Sequence, residues 1–234
     1  MNSSAFQSEE YDENIIKTIP FYKEMQEQVV SLVNTMGFHQ VHWLDTGCGT
    51  GNTAEMAVKS CSLSAITLAD PSDEMLEMSN KRAKLWDLPK HFLLSSSENL
   101  NYQEGFEVVT AVMAHHYLSE ERRMEATRKC YKALKPGGIY ITFENITLDS
   151  LKGKEIGLRR WENYQIKNGK IETDAKKHIS RFGKEYFPIT LEEHLALLRE
   201  CGFQTVQILW LSYLQAGFYI CWQRDMECGL ICSN

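Results

Sequence analysis

Several things are scarce or missing in this chain of 234 residues. No apolar run approaches the roughly 20 residues that a bilayer span needs, so a membrane-spanning role is not expected. The first residues are polar and acidic rather than basic and then apolar, so no secretory leader is expected. Basic charge is in deficit: 25 Lys and Arg against 31 Asp and Glu leave a net charge of −6. General nucleic-acid affinity needs a basic surface and is disfavoured. The one locally basic stretch, residues 152–160, reads as a solvated face. The seven cysteines show no paired metal spacing and the seven histidines no H-E-x-x-H set, so no metal is expected. Cys228 and Cys232 are a loose pair in what reads as a frayed tail. These absences lead to the expectation of a cytoplasmic protein, a monomer or homodimer, without a membrane partner.

What is present is enough apolar residue, 43 %, for a sizeable core in one α/β domain with an added segment. The most informative stretch is Val41-His42-Trp43-Leu44-Asp45-Thr46-Gly47-Cys48-Gly49-Thr50-Gly51. A short apolar run ends in an acid, a loop with glycine at every second position follows, and then a helical segment. Gly47 and Gly49 let the backbone turn sharply and approach a ligand with no Cβ in the way. The following helix aims its free N–H groups at the same space. A dinucleotide loop would carry its last glycine where Asn52 stands. Asp45 beside the loop would repel a pyrophosphate and suit a cationic ligand. A nicotinamide oxidoreductase is disfavoured on both counts. The next run, residues 64–70, reads as a second strand ending in Asp70, where an acid binds ribose hydroxyls.

The D-x-G-x-G-x-G pattern of Asp45, Gly47, Gly49 and Gly51 resembles motif I of the class I S-adenosylmethionine-dependent methyltransferases. That cofactor has no phosphates but carries an ammonium and a sulfonium. Three further segments agree in order and spacing. Asp70-Pro71-Ser72-Asp73-Glu74-Met75-Leu76 looks like the family's D-x-S-x-x-M-L element, with Ser72 as helix cap. The resemblance implies that Met75 packs on the adenine; plain core is the other reading. After a third strand, residues 91–95, Ser96 or Ser97 falls where the family often has an acid that binds the adenine amino group, with Glu98 slightly later. After a fourth strand, residues 106–113, Ala114-His115-His116-Tyr117-Leu118 matches the family segment beside the methyl donor. Ser119 caps the next helix, Lys135-Pro136-Gly137-Gly138 stops it, and residues 139–143 form a fifth strand ending at Glu144. The resemblance is strong over residues 40–146.

Two regions lie outside that half. Residues 1–37 read as an N-terminal helical lid, with a second helix beginning at Pro20. The resemblance implies that Tyr11, in a "Y-D" element, closes over the cofactor; an exposed tyrosine on a loose arm is the alternative. The remainder, residues 38–234, carries a cap insertion at about 146–188, with a helix over 148–166. Its Arg160, Trp161 and Tyr164 are the expected substrate contacts, by cation–aromatic and arginine–carboxylate recognition. Thr190 and Glu193 form a capping box, and residues 203–212 and 217–222 read as a final antiparallel hairpin.

The expected fold is therefore α/β: a Rossmann-like, seven-stranded, mostly parallel sheet with a reversed last strand, helices on both faces, and a helical cap. The expected function is methyl transfer from S-adenosylmethionine to a small-molecule acceptor. Asp45, Gly47, Gly49, Asp70, Met75, Ser96, Ser97, Ala114 and Tyr11 are expected at the cofactor, and His116, Tyr117 and Glu144 at the reacting groups. His116 is either a general base or a packing residue. Two other readings stay open. One is a carboxy-S-adenosylmethionine-dependent tRNA wobble-uridine modifier, resembled by Tyr11-Asp12 and Ile19-Pro20-Phe21-Tyr22. The other is a non-catalytic S-adenosylmethionine-binding protein.

Overall fold

The computed structural model describes residues 11–222. Residues 1–10 of the expected lid, and the Cys228–Cys232 pair, lie outside them. Seven strands form one sheet: β1 (Val41–Thr46), β2 (Leu63–Asp70), β3 (Lys90–Leu94), β4 (Phe106–Val112), β5 (Leu134–Asn145), β6 (Thr205–Ser212) and β7 (Gln215–Cys221). Their order is β3-β2-β1-β4-β5-β7-β6. β1 to β5 pair in parallel, and β7 runs antiparallel to both β5 and β6. This is the expected sheet with its reversed strand.

The helices are α1 (Tyr11–Thr18), α2 (Tyr22–Thr35), α3 (Asn52–Ser60), α4 (Asp73–Arg82), α5 (Glu120–Ala133), α6 (Leu151–Lys167), α7 (Glu172–Ile179) and α8 (Leu191–Glu200). The strands alternate between two cores, because successive side chains leave opposite faces. Trp43, Val108, Ile139 and Ile141 pack with Val29, Val33 and Ala57 from α2 and α3. Leu44, Val109 and Tyr140 pack with Cys130, Ala133 and Leu198 from α5 and α8. A parallel sheet covered on both faces needs such unbroken apolar strands.

Local details depart from expectation for physical reasons. Helix α2 begins at Tyr22, because Phe21 takes a left-handed φ of 57° after Pro20. Helix α5 ends at Ala133, and β5 starts at once with Pro136 inside it. Residues 135–138 loop out of register, and Gly137, at φ 83°, donates its N–H to Trp222 O at 2.9 Å. Ser119 occupies the cap position of α5 without a side-chain cap bond. Ser72 does cap α4, and Thr190 with Glu193 completes the capping box of α8. The β6–β7 turn is two residues long, with Tyr213 at φ 53°. The insertion contains α6 and α7, and its ends close beside each other through the Ile146–Ile189 bridge.

Candidate active site

A cavity of about 470 Å³ lies at the carboxyl ends of β1, β2, β4 and β5. That is where open α/β sheets bind ligands, and the volume is in the small-molecule range of about 300–1,000 Å³. Gly47, Gly49, Asp70, Met75, Ser96, Ser97 and Ala114 line it, as does Tyr11 from α1.

The cradle end is built largely from backbone. A Cβ on Gly47 would lie 2.5 Å from Ala114 Cβ, and its φ is 64°. Gly49 has no such obstruction; a Cβ there would face only the Tyr11 ring, at 3.9 Å or beyond. Asp70 holds the loop from the neighbouring strand: its carboxylate accepts from Gly49 N and from Ser72 N, each at 2.9 Å. Burial raises its pKa, against those two N–H donors. Asp45 does not line the cavity. It is buried behind the loop, accepting from Thr110 Oγ1 at 2.7 Å, with its other oxygen unpartnered. Burial pushes its pKa up to about 7, with the Thr110 hydroxyl opposing and Asp70 adding. Asp45 is therefore not among the residues that face the cavity.

Ser97 Oγ is tied to Thr46 Oγ1 at 2.8 Å. Beside it on the lining is Glu98, paired through Oε1 with Arg122. Its Oε2 is buried and has no partner among the described residues. An orphan acceptor at this end of a cradle that a Cβ would fill fits a nucleoside amino group, because a buried unpaired acceptor is costly to leave so. Sequence reasoning set Glu98 slightly after the position it favoured, and a 3-10 turn over Ser97–Asn99 brings it round to the wall.

Helix α1 covers the cradle through Tyr11, Ile15 and Thr18. A charged clasp fixes it. Asp12 accepts from Thr50 Oγ1 at 2.6 Å and Asn52 Nδ2 at 2.7 Å, and pairs with Arg82, which also reaches Glu55 at 2.6 Å.

The other end is lined by His115, His116, Tyr117, Asn145, His178 and Tyr186. A 3-10 turn over His115–Tyr117 follows β4, and Glu144 at the end of β5 organises it. Glu144 accepts from His115 N (3.1 Å), His116 N (2.8 Å), His116 Nδ1 (2.7 Å) and Thr142 Oγ1 (3.0 Å). Burial opposes its ionisation, but the His116 bond and the neighbouring imidazoles bring its pKa down to about 2. Glu144 does not reach the cavity. His116 Nε2 meets Asn145 Nδ2 at 3.1 Å, and Asn145 Oδ1 accepts from Gln215 at 2.9 Å. Both ring nitrogens of His116 are thus engaged. The turn is also stitched to the far end of the insertion. Phe187 N donates to His116 O at 2.7 Å, and buried Arg123 bridges the carbonyls of His115, Leu118 and Phe187.

The insertion contributes His178 and Tyr186, not the residues expected from sequence. Trp161 is fully buried and donates its Nε1–H to Thr18 O at 2.6 Å, pinning α6 to α1. Arg160 and Tyr164 lie in a separate outer cleft. The sequence names residue types in this insertion, but only the packing of α7 on α6 and of Tyr186 against His116, Tyr117 and His178 selects which of them face inward. Burial raises the pKa of Tyr11 and Tyr117, and that of Tyr186, so the phenols stay protonated; burial brings His178 down to about 3, so it stays neutral. Neither Arg nor Lys is among the described lining residues.

Known proteins share this fold. Residues 44–138 match the family model described as a methyltransferase domain. The fold is that of an S-adenosylmethionine-dependent methyltransferase from Clostridium acetobutylicum, with a TM-score of 0.64 at 14% identity over 93% of this chain and 98% of that one. Residues 44–138 thus carry a methyltransferase domain, and the chain is an enzyme that uses S-adenosylmethionine. Among individual proteins it is similar to the carboxy-S-adenosyl-L-methionine synthase of Trichodesmium erythraeum, 23% identical over 85% of this chain and 79% of the relative. The protein of the same name from a Nitratiruptor species is 25% identical over 87% of this chain and 86% of the relative. Among the described residues, no helix is long and apolar enough to cross a membrane.

Proposed function

We propose that the protein transfers a methyl group from S-adenosylmethionine to a small, uncharged acceptor whose nucleophilic atom needs no strong base. The carrying observation is one continuous cavity. It runs from the Gly47–Asp70 cradle to an aromatic end, and the described lining residues include neither Arg nor Lys. When bound, the cofactor supplies an activated methyl on a sulfonium. Gly47, Gly49 and Asp70 cradle it, Glu98 and Met75 flank its base, and Tyr11 with α1 excludes water. His116, held by Glu144 and Asn145, sets the wall beside the reacting groups, with Tyr117 and Tyr186 as protonated donors and aromatic surface. Alignment and desolvation supply the rate, since the leaving group is already good. Residues 11–37 act as lid and the insertion as cap.

The test is release of S-adenosylhomocysteine, with a mass gain of one methyl on the acceptor, across small amines, phenols, thiols, carboxylic acids and a short RNA. Turnover with a neutral acceptor is expected. Turnover only with carboxylic acids or RNA overturns the reading, and tight cofactor binding without turnover of any acceptor leaves a non-catalytic binding protein.

A second reading has its own support in the names of the relatives: formation of carboxy-S-adenosylmethionine, rather than its use on tRNA. A carboxylate at the methyl end wants a cation, and Arg181 lies 5.9 Å from the Tyr186 ring centre, although Glu185 already accepts from it at 2.6 Å. Incubation with S-adenosylmethionine and carboxylate donors separates the two, because here the cofactor itself gains mass.

A further inference from the structure

Arg160 and Tyr164 carry chemistry that the main cavity does not use. They line an outer cleft of about 700 Å³ between the end of α1, the start of α2, α6 and the β6–β7 turn. Three rings meet there. Phe21 lies 6.3 Å from Tyr164 and 6.2 Å from Tyr213, and Tyr164 lies 5.4 Å from Tyr213, centre to centre. The Arg160 guanidinium sits 4.7 Å from the Tyr213 ring centre. Phe21 and Tyr213 both hold left-handed backbone, at φ 57° and 53°, which bulky residues rarely adopt. Phe21 remains 41% exposed, so its ring is open to the cleft.

The charge around these rings is mostly positive. In the cap, Lys152, Arg159, Lys176 and Arg181 each pair with a carboxylate, while Lys154 lies over the Phe182 ring. Among the described residues, Arg160 and Lys167 have no such partner within 4.0 Å. Residues 160, 164 and 167 share one face of α6, so the two cations bracket Tyr164. Lys23 and a single acid, Glu24, complete the charged lining.

We propose that this outer cleft binds a small aromatic anion, its ring against Phe21 and Tyr164 and its charge met by Arg160 and Lys167. An exposed aromatic face favours a planar ring, and a guanidinium on a tyrosine shelf is pre-organised for a flat anionic group. The site is separate from the methyl-transfer cavity and independent of the acceptor's identity.

The experiment is calorimetric titration of the full chain with phenyl phosphate, with S-adenosylhomocysteine saturating the main cavity. Phenyl phosphate should bind at least about tenfold more tightly than phenol or inorganic phosphate, since only it satisfies both halves of the site. The Arg160→Met, Lys167→Met double variant should lose about tenfold, with S-adenosylhomocysteine affinity unchanged; Lys167→Met alone should lose less, and Arg160→Lys should keep part of the binding. Uridine 5′-monophosphate and 4-hydroxybenzoate then tell a nucleotide from an aryl carboxylate. Phenyl phosphate binding no tighter than inorganic phosphate, or unchanged in the folded variants, overturns the proposal.

Discussion

The cradle end of the cavity takes Gly47, Gly49, Asp70 and Met75 from 29 consecutive positions, and its key contacts are backbone N–H groups on one carboxylate. The opposite end gathers His116, Asn145, His178 and Tyr186 from across the chain, and holds the first three by side-chain bonds to other side chains. One end is fixed by local geometry and the other by how distant segments pack. A backbone-built end tolerates almost no added atoms, whereas an end assembled from side chains can be re-cut without unmaking the fold.

The sharpest break in that contrast is Gly47→Val. The added side chain meets Ala114 and forces a left-handed φ on a β-branched residue. Cofactor binding should fall beyond detection by calorimetry; a folded variant with normal affinity would show that the loop is not a close-fitting cradle. Asp70→Ala comes next. It removes the acceptor for Gly49 N and Ser72 N and the ribose contact proposed for it, and should weaken cofactor binding by about 2–4 kcal/mol. An unchanged dissociation constant would leave Asp70 a purely structural residue.

At the other end, His116→Gln should lower turnover by about tenfold or less and leave cofactor affinity intact, because both ring nitrogens are already engaged. A loss of two to four powers of ten would instead make His116 a general base. The two buried acids give a subtler test, because they pull stability in opposite directions. Asp45 keeps its proton up to about 7 in the folded chain, above the unfolded value of about 3.9, so its contribution weakens as pH rises from about 4 to 7. Glu144 is lowered to about 2, so the stability it adds is present above about pH 4 and lost as pH falls toward 2. Denaturation across pH should show Asp45→Asn removing the first slope and Glu144→Gln the second; the same slopes in both variants would dissociate these groups from folding. The smallest effect belongs to Trp161→Phe. It loses the bond to Thr18 O and should cost about 1 kcal/mol of stability, with no change in acceptor preference.

The seven strands, the reversed last one and the glycine loop were legible because the strands are apolar runs and Gly47 and Asp70 sit at strand ends. Asp45 stands at the end of β1 as expected, but it is buried against Thr110 and does not line the cavity. Glu144 was found by topology, but it is buried beneath His115 and His116 and holds them rather than lining the cavity. The cap resisted reading for a different reason. Arg160, Trp161, Tyr164 and His178 all lie within α6 and α7, and periodicity alone does not say which helix face meets α1, which meets the cavity and which stays outside. Trp161, the most conspicuous of them, belongs to the packing.

The stitching of Phe187 and Arg123 onto the His115–Tyr117 turn has a consequence for how such an enzyme diversifies. Because the returning leg of the insertion is anchored at the wall itself, and Ile146 pairs with Ile189 at its base, the excursion between them is a closed module. Helices within that module can lengthen, shorten or change sequence while both anchor points keep their register on the sheet. New acceptors can be explored there without disturbing the alignment of the transferring group.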